Sequence, residues 1–199
     1  MTILDLIQSR RAIRRYLNKP IPKTQIEKLL QAACWAPSAH NRQPWRFAVM
    51  TQQQDKIKLA QAMGNRLRQD RQADGDPSED IEKDVARSYA RITGAPVLII
   101  VCLSMVDMDT YPDPVRSRNE WIMAVQSVSM AAQNLWLAAH DAGLAMCWLC
   151  APLFVPDLVK DTLGLAAEWE PLGLMTLGYA AEEKHRTRVP IDDLVMWVE

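Results

Sequence analysis

The sequence predicts one domain of the α/β or α+β class, built around a single sheet. Three observations predict it. Helical and strand-like patterns alternate along the chain, as they do where helices pack on a sheet. The run "PVLIIVCL" (96–103) is apolar at every position, as in a strand covered on both faces. Residues 119–141 carry the longest helical pattern and are apolar on nearly every side, which predicts a central, buried helix. A chain of 199 residues suits one domain, 1–199, with a sizeable core.

Each element has a local reason. "ILDLIQSRR" sets Ile3, Leu6, Ile7 and Arg10 at helical spacing. "TQIEKLLQAACWA" does the same with Ile26, Leu29, Leu30 and Ala33, and Pro37 ends it. "RFAVM" (46–50) reads as a strand. From Asp55 to Arg91 the chain is charged, with helical patches on either side of "QADGDPS" and Ser78 placed to cap the second. The mixed charges of 64–80 predict an exposed excursion or lid. Gly143 stops the long helix. "LAMCWL" then reads as a strand, and "VPDLVKDTL" as a short helix between Pro156 and Gly164. "PLGLMTLGYA" is a last strand. The tail "VPIDDLVMWV" holds too many apolar residues for a free end.

Composition excludes several classes. A net charge of -1 creates no bulk field toward nucleic acid or anionic lipid. No apolar run approaches the ~20 residues that span a bilayer. The N-terminus is too short and too charged for a signal peptide. Four cysteines are too few for a disulfide scaffold. The expectation is a cytoplasmic protein with reduced thiols.

The seven glycines never fall as GxG, which argues against a dinucleotide fingerprint or phosphate loop. Arginine clusters are the other way to hold a phosphate. "SRRAIRRY" sets Arg10 and Arg14 four apart, and Arg11 and Arg15 likewise, so on a helix each pair shares a face. "KHRTRVP" supplies Arg186 and Arg188. The competing reading is two solvated basic patches. Cys147 and Cys150 form "CWLC", but Cys147 lies inside an apolar strand and no second pair completes a metal site. No ligand spacing links His40, His140 and His185. In "APSAHNRQPW" (36–45), Pro37 and Pro44 stiffen a polar loop that needs no restraint as a mere connector.

"SRRAIRRY", "APSAHNRQPWRF", "AAQNLWLAAHDAGLAMCWL", "PLGLMTLGY" and "HRTRVP", in that order, resemble the nitroreductase family of FMN-dependent oxidoreductases. "RITGAPVLIIVCL", "DTYPDPVR" and "LGLAAEWEPLGLMTLGY" further resemble the flavin domain fused to gamma-glutamyl ligase in coenzyme F-420 synthesis, here without the ligase. The resemblance implies an α+β fold on a mixed, mainly antiparallel sheet, and an intertwined homodimer with FMN at the interface. It implies that Arg10, Arg11 and Arg14, joined by Arg186 and Arg188, approach the FMN phosphate. Pro37, Ser38, Ala39 and Asn41 would reach the flavin from the partner subunit. Leu149, Cys150 and Ala151 would line the flavin edge, and His40 would stand near a substrate. Two positions depart from the family pattern. Ala12 stands where Ser is common, so the cofactor contact at Ala12 lacks a hydroxyl, and Cys150 stands where Gly is common.

The implied activity is transfer of hydride from NADH or NADPH, through FMN, to a small flat acceptor. Two alternatives stay open: reduction of the dehydro form of coenzyme F-420 during its synthesis, and a flavin- or deazaflavin-binding module without turnover.

Overall fold

The computed structural model describes residues 2–198. Its elements are α1 (Ile3–Ser9), α2 (Lys23–Cys34), β1 (Trp45–Met50), α3 (Gln53–Ala73), α4 (Ser78–Thr93), β2 (Val97–Leu103), α5 (Pro114–Asp141), β3 (Ala145–Leu149), α6 (Ala151–Phe154), α7 (Pro156–Leu163) and β4 (Glu170–Gly178). The strands form one antiparallel sheet in the order β1-β2-β4-β3. A parallel bridge from Ala12 to Met146 lies at its β3 edge. The architecture is α+β, with the mixed, mainly antiparallel pattern expected from the sequence.

Strand β2 organises the layers. All seven of its residues are buried, and alternate side chains of a strand point to opposite faces. Val97, Ile99, Val101 and Leu103 join α2 and α5 in one core. Leu98, Ile100 and Cys102 join α3, the end of α4 and α7 in the other. On β4, Leu172 and Met175 share the first core although their spacing is odd. The register shift opposite Val101 and Cys102 explains it, because it leaves Leu172 as the extra residue of a bulge.

Helix α5 begins earlier than its apolar pattern. Asp113 caps it by accepting from Arg116 N–H at 2.9 Å, and Pro114 opens it. It buries Ala124, Val128, Ala131, Leu135 and Ala139 against the sheet and α2. The opposite face is not enclosed: Ile122, Met123 and Leu137 are half-buried, and Met130 is exposed. Within one protomer the helix is therefore flanking, not central. Gly143 follows its end, and Gly164 ends α7 with φ 63° in the left-handed region.

Residues 64–80 are the distal half of a helical hairpin, with only 74–77 between α3 and α4. Pro77, not Ser78, holds the cap position of α4, and no side chain caps it. Proline already fixes the turn and Ser78 enters the first helical turn. Buried Lys56 on α3 donates to the carbonyls of Ala95 (2.7 Å) and Pro96 (3.2 Å), which ties the hairpin to the start of β2.

A Cβ at Gly173 would overlap the Trp148 ring, and one at Gly178 would meet the Tyr16 ring at 2.6 Å. Gly173→Ala should therefore expel Trp148 from its seat on β4 and destabilise the fold by ~1–3 kcal/mol. Urea unfolding followed by tryptophan fluorescence reads this as a lower midpoint at unchanged slope. An unchanged midpoint would show that the seat is not tight.

Candidate active site

The segment after α1 is extended, not helical. Arg10 terminates α1 with ψ 132°. Ile13 N–H then donates to Met146 O (3.0 Å), Leu17 N–H to Tyr179 O (2.9 Å) and Ala181 N–H to Arg15 O (2.9 Å). The idea that Arg10 pairs with Arg14, and Arg11 with Arg15, on faces of a helix is thus corrected. These backbone groups bond to the sheet edge, where a helix would have used them itself. Tyr16 pins the segment: its hydroxyl donates to Ile13 O and shares a 2.6 Å bond with Thr176. Burial pushes the Tyr16 phenol far above its ordinary pKa, so it stays neutral.

Apart from Arg118, which is exposed on α5, the arginines divide into two sets. Arg42, Arg46, Arg66, Arg68, Arg71, Arg87 and Arg116 each pair with a carboxylate. Arg10, Arg11, Arg14, Arg15, Arg91, Arg186 and Arg188 pair with none among the described residues, and they gather. Arg10 lies over the Trp136 ring at 4.3 Å. Burial lowers its pKa, and repulsion from Arg188 and Arg11 lowers it further. Arg11 donates to Arg186 O at 3.3 Å. Burial also lowers the Arg91 pKa, followed by repulsion from Arg14 and Arg87. The Nε atoms of Arg11 and Arg14 are buried without a hydrogen-bond partner. Buried donors without acceptors are rare and costly. Like charges held together in excess of carboxylates suit an anion, and planar guanidinium forks suit a phosphate. The reading as solvated patches does not explain buried, unpartnered Nε atoms.

Three cavities border this charge. One of 520 Å³ is lined by Ser9, Arg11, Trp136, His140, Lys184 and His185, among others. One of 340 Å³ lies among Arg14, Arg15, Arg87, Arg91, Glu182 and Lys184. One of 230 Å³ is lined by Leu149, Cys150 and Ala151 together with Arg91, Ser88 and Trp148. The structure thus brings the N-terminal arginines, the tail arginines and the end of β3 into one region. Ala12 is inside it, bridged to Met146.

The bracketed loop lies elsewhere in the protomer. Ala39 N–H donates to Ser127 Oγ at 3.3 Å. Ser127 and Trp136 stand two and a half turns, about 13 Å, apart along α5. The loop is held in a demanding shape. His40, Asn41 and Gln43 have φ of 49°, 55° and 50°, a region that non-glycine residues adopt at a cost. Ser38 offsets part of it by accepting from Gln43 N–H at 3.0 Å. Arg42 pairs with Asp109 at 2.7 Å, and Ser104 N–H donates to Pro44 O at 2.8 Å. Pro37, Ser38, Ala39, His40 and Asn41 therefore sit in a fixed loop, with Pro37, His40 and Asn41 exposed and Ser38 and Ala39 half-buried, apart from the arginines of their own chain.

All four cysteines are free. Burial raises the Cys147 thiol pKa, which disfavours the thiolate. Cys150 is exposed at the start of α6, where Trp148 Nε1–H donates to its sulfur at 3.2 Å. No metal-binding cluster of His, Cys, Asp or Glu occurs among the described residues.

Sequence reading missed Arg91, which lines two of the cavities. The i, i+4 spacing of Arg87 and Arg91 was visible, but nothing local distinguishes it from an exposed charged face. It also missed Glu182, which accepts from Arg14 N–H at 2.7 Å.

Comparison with known proteins places the chain in a family. Residues 7–179 match the model of the Nitroreductase family. The chain belongs to the nitroreductase family. It is 32% identical over 186 residues to a Methanothermobacter thermautotrophicus protein provisionally named NADH dehydrogenase/NAD(P)H nitroreductase, covering 92% of this chain and 79% of that one. It is 28% identical over 211 residues to an NADH dehydrogenase of Thermus thermophilus, covering 94% and 92%. Its fold matches a crystal structure from Desulfovibrio desulfuricans, provisionally named a nitroreductase, in complex with FMN. The TM-score is 0.76 at 24% identity, covering 100% and 98%.

His140 reports on the charge in this nitroreductase-family site. It sits 2.8 Å from Ser9 Oγ, and burial, then Arg10 and Arg11, lower its pKa from 6.5. A histidine lowered in the folded state is protonated more readily when unfolded, so its contribution to stability is present above pH 6.5 and lost as pH falls below it. Flavin-free protein should therefore melt at lower temperature as pH drops below 6.5. His140→Gln should flatten that slope, and so should inorganic phosphate in the parent. An identical slope in parent and variant would remove His140 from the account.

Proposed function

We propose that the chain is an FMN-dependent oxidoreductase that takes hydride from NADH or NADPH and reduces a small flat acceptor, such as a quinone or nitro compound. It works as a cytoplasmic homodimer. The observation that carries this reading is the gathering of unpaired arginines around Ala12, with buried Nε atoms of Arg11 and Arg14 lacking acceptors. That donor set fits the phosphate and pyrimidine ends of FMN.

Arg10, Arg11, Arg186 and Arg188 would hold the phosphate. Ala12 offers no hydroxyl, so the backbone and arginines do this alone. Arg91 lines the 230 Å³ cavity and Arg14 its basic neighbour, so both would keep positive charge near a flavin that gains negative charge on reduction. Leu149, Cys150 and Ala151 wall that cavity. Of the first N–H groups of α6, Pro152 has none and Leu153 N–H donates to Cys150 O at 3.0 Å, which leaves the Ala151 N–H for this edge. FMN, when bound, supplies hydride acceptance and release, and the protein supplies orientation and charge. This division of labour needs no general base among the side chains.

A second copy accounts for what one protomer leaves uncovered. Helix α1 buries none of its residues, and Ile3 and Leu4 are exposed. Trp35 is 86% exposed and Trp197 85%. Val189, Ile191, Leu194, Met196 and Val198 are exposed on the same tail. This is far more apolar surface than a monomer usually shows. In the dimer, Pro37, Ser38, Ala39 and Asn41 would complete the partner's flavin site, with His40 beside the substrate. No helix among the described residues is long and apolar enough to cross a membrane.

Reduction of a coenzyme F-420 precursor rests on the motif resemblance, and free arginines in 64–80 would have added to it. Arg66, Arg68 and Arg71 are instead committed to Asp70, Glu82, Asp76 and Asp84, so that support is gone. A binding module without turnover would be yellow yet unbleached by NADH or NADPH.

The purified protein should release FMN, not FAD, on denaturation. Arg10→Ala and Arg188→Ala should each raise the FMN dissociation constant roughly 10- to 150-fold, the effect of losing a charged hydrogen bond of ~1.5–3 kcal/mol. Unchanged affinity in both variants overturns the phosphate assignment. Light scattering should show a dimer at micromolar concentration, and a stable folded monomer would refute the shared site. Replacing Cys147 and Cys150 with serine should leave flavin reduction within a few-fold of the parent.

A further inference from the structure

The flavin assignment does not use all of the positive charge. The 340 Å³ cavity is lined by Arg14, Arg15, Arg87, Ala90, Arg91, Lys184 and one carboxylate, Glu182. Carboxylates near it are few and already bonded. Glu182 receives Arg14 N–H at 2.7 Å and Lys184 Nζ at 3.1 Å. Asp84 is shared between Arg87 and Arg71. Arg15 makes no ion pair with a described carboxylate, and its side chain is exposed at the mouth. Arg91 is the common wall between this basic cavity and the 230 Å³ cavity beside Cys150. A molecule seated against the flavin would therefore have the basic cavity as its neighbour.

We propose that Arg15, which has no described carboxylate partner, forms with Arg87 and Lys184, each keeping its bond to Asp84 or Glu182, a subsite for an anionic group, phosphate or sulfonate-like, carried by the small molecule that exchanges electrons in the adjoining cavity. The proposal rests on the flavin reading for its location, but not for its chemistry. Positive charge in excess of carboxylates, in a concave site, raises the local concentration of anions and selects them over neutral analogues. Two sources carry such a group: the additional phosphate that distinguishes NADPH from NADH, and an acidic substituent on the acceptor. Arg14 and Arg91 are occupied by the flavin in this arrangement, so the outer three residues decide the preference.

The test uses the flavin-loaded protein and the double variant Arg15→Ala/Arg87→Ala. Both side chains lie outside the assigned flavin contacts. Steady-state kcat/KM is measured for NADPH against NADH, and for a sulfonated naphthoquinone against the neutral naphthoquinone. Within each pair, the ratio of the reactant with the added anionic group to the one without it removes intrinsic reactivity. The parent should favour the member with the added group in one pair, and the variant should lose about 10-fold or more of that preference. The member without it should keep its rate. Loss confined to the nicotinamide pair assigns the subsite to the donor's phosphate, and loss confined to the quinone pair assigns it to the acceptor. In the parent, the preference should also weaken as salt rises from 50 to about 500 mM, because exposed charges are screened. A second readout does not depend on turnover. Calorimetric titration with adenosine monophosphate against adenosine should show phosphate-dependent binding that the variant loses. If the protein carries no flavin, the oxidoreductase reading fails, while this titration still tests the anion subsite. Equal ratios and equal titrations in parent and variant overturn the proposal.

Discussion

The site depends on one pairing, that of residues 10–17 with the edge of the sheet. Three backbone bonds, Ile13 to Met146, Leu17 to Tyr179 and Ala181 to Arg15, lay this segment along β3 and the exit of β4. The pairing places four arginines of "RRAIRR" on a rigid support. It also brings the tail to them, since Ala181 is bonded just before Glu182 and Lys184. Guanidinium groups held this way cannot move apart to relieve their repulsion. The repulsion is visible in the lowered pKa of Arg10, after burial, and in that of His140. A fold that concentrates like charge on its most rigid edge loses stability there unless an anion arrives. Binding of the anion then returns that loss as affinity, because the charges need no rearrangement to meet it.

The sheet supplies the rigidity. Strand β2 is enclosed on both faces, and its two sets of side chains tie α2 and α5 to one side and the α3–α4 hairpin with α7 to the other. Close packing makes a shift on either side felt on the other. Gly173 and Gly178 show how near the site is to this packing: their missing side chains make room for Trp148 and Tyr16. Trp148 in turn donates to Cys150, and Tyr16 anchors the arginine segment. Two glycines of β4 thus place the two sides of the candidate flavin cavity.

Much of the fold was legible because its signals are periodic. The continuous apolar run of β2, the 3.6-residue spacing of α2 and α5, and the proline and glycine bounds of α7 each appear as local patterns. The arginine segment was misread as helical because spacing by four also satisfies a helix. What decides otherwise is a partner strand more than 130 residues away, which no local window contains. Ser78 was misread for a similar reason, since a good capping residue is overruled when a proline has already fixed the turn before it. The site was legible in its motifs but not in its charge balance. Whether an arginine is free depends on which carboxylates fold against it. Arg66, Arg68 and Arg71 resemble Arg10, Arg11 and Arg14 in sequence and differ from them wholly in partnership.

The bracketed loop completes the argument from the opposite end of α5. Positive φ at His40, Asn41 and Gln43 is held by Ser38, Ser127, Arg42–Asp109 and the Pro44 carbonyl. Backbone strain of ~1–3 kcal/mol per residue persists only where surroundings overdetermine it. Nothing in the chain's own arginine cluster uses this loop, which is about 13 Å of helix away. The exposed apolar residues of α1, the open face of α5 and the tail form a second unexplained feature. Either observation alone admits several explanations. Under the proposed dimer, a second copy would cover the apolar surfaces and carry its strained loop to the first copy's arginines, and the strain would be the geometric requirement of that shared site.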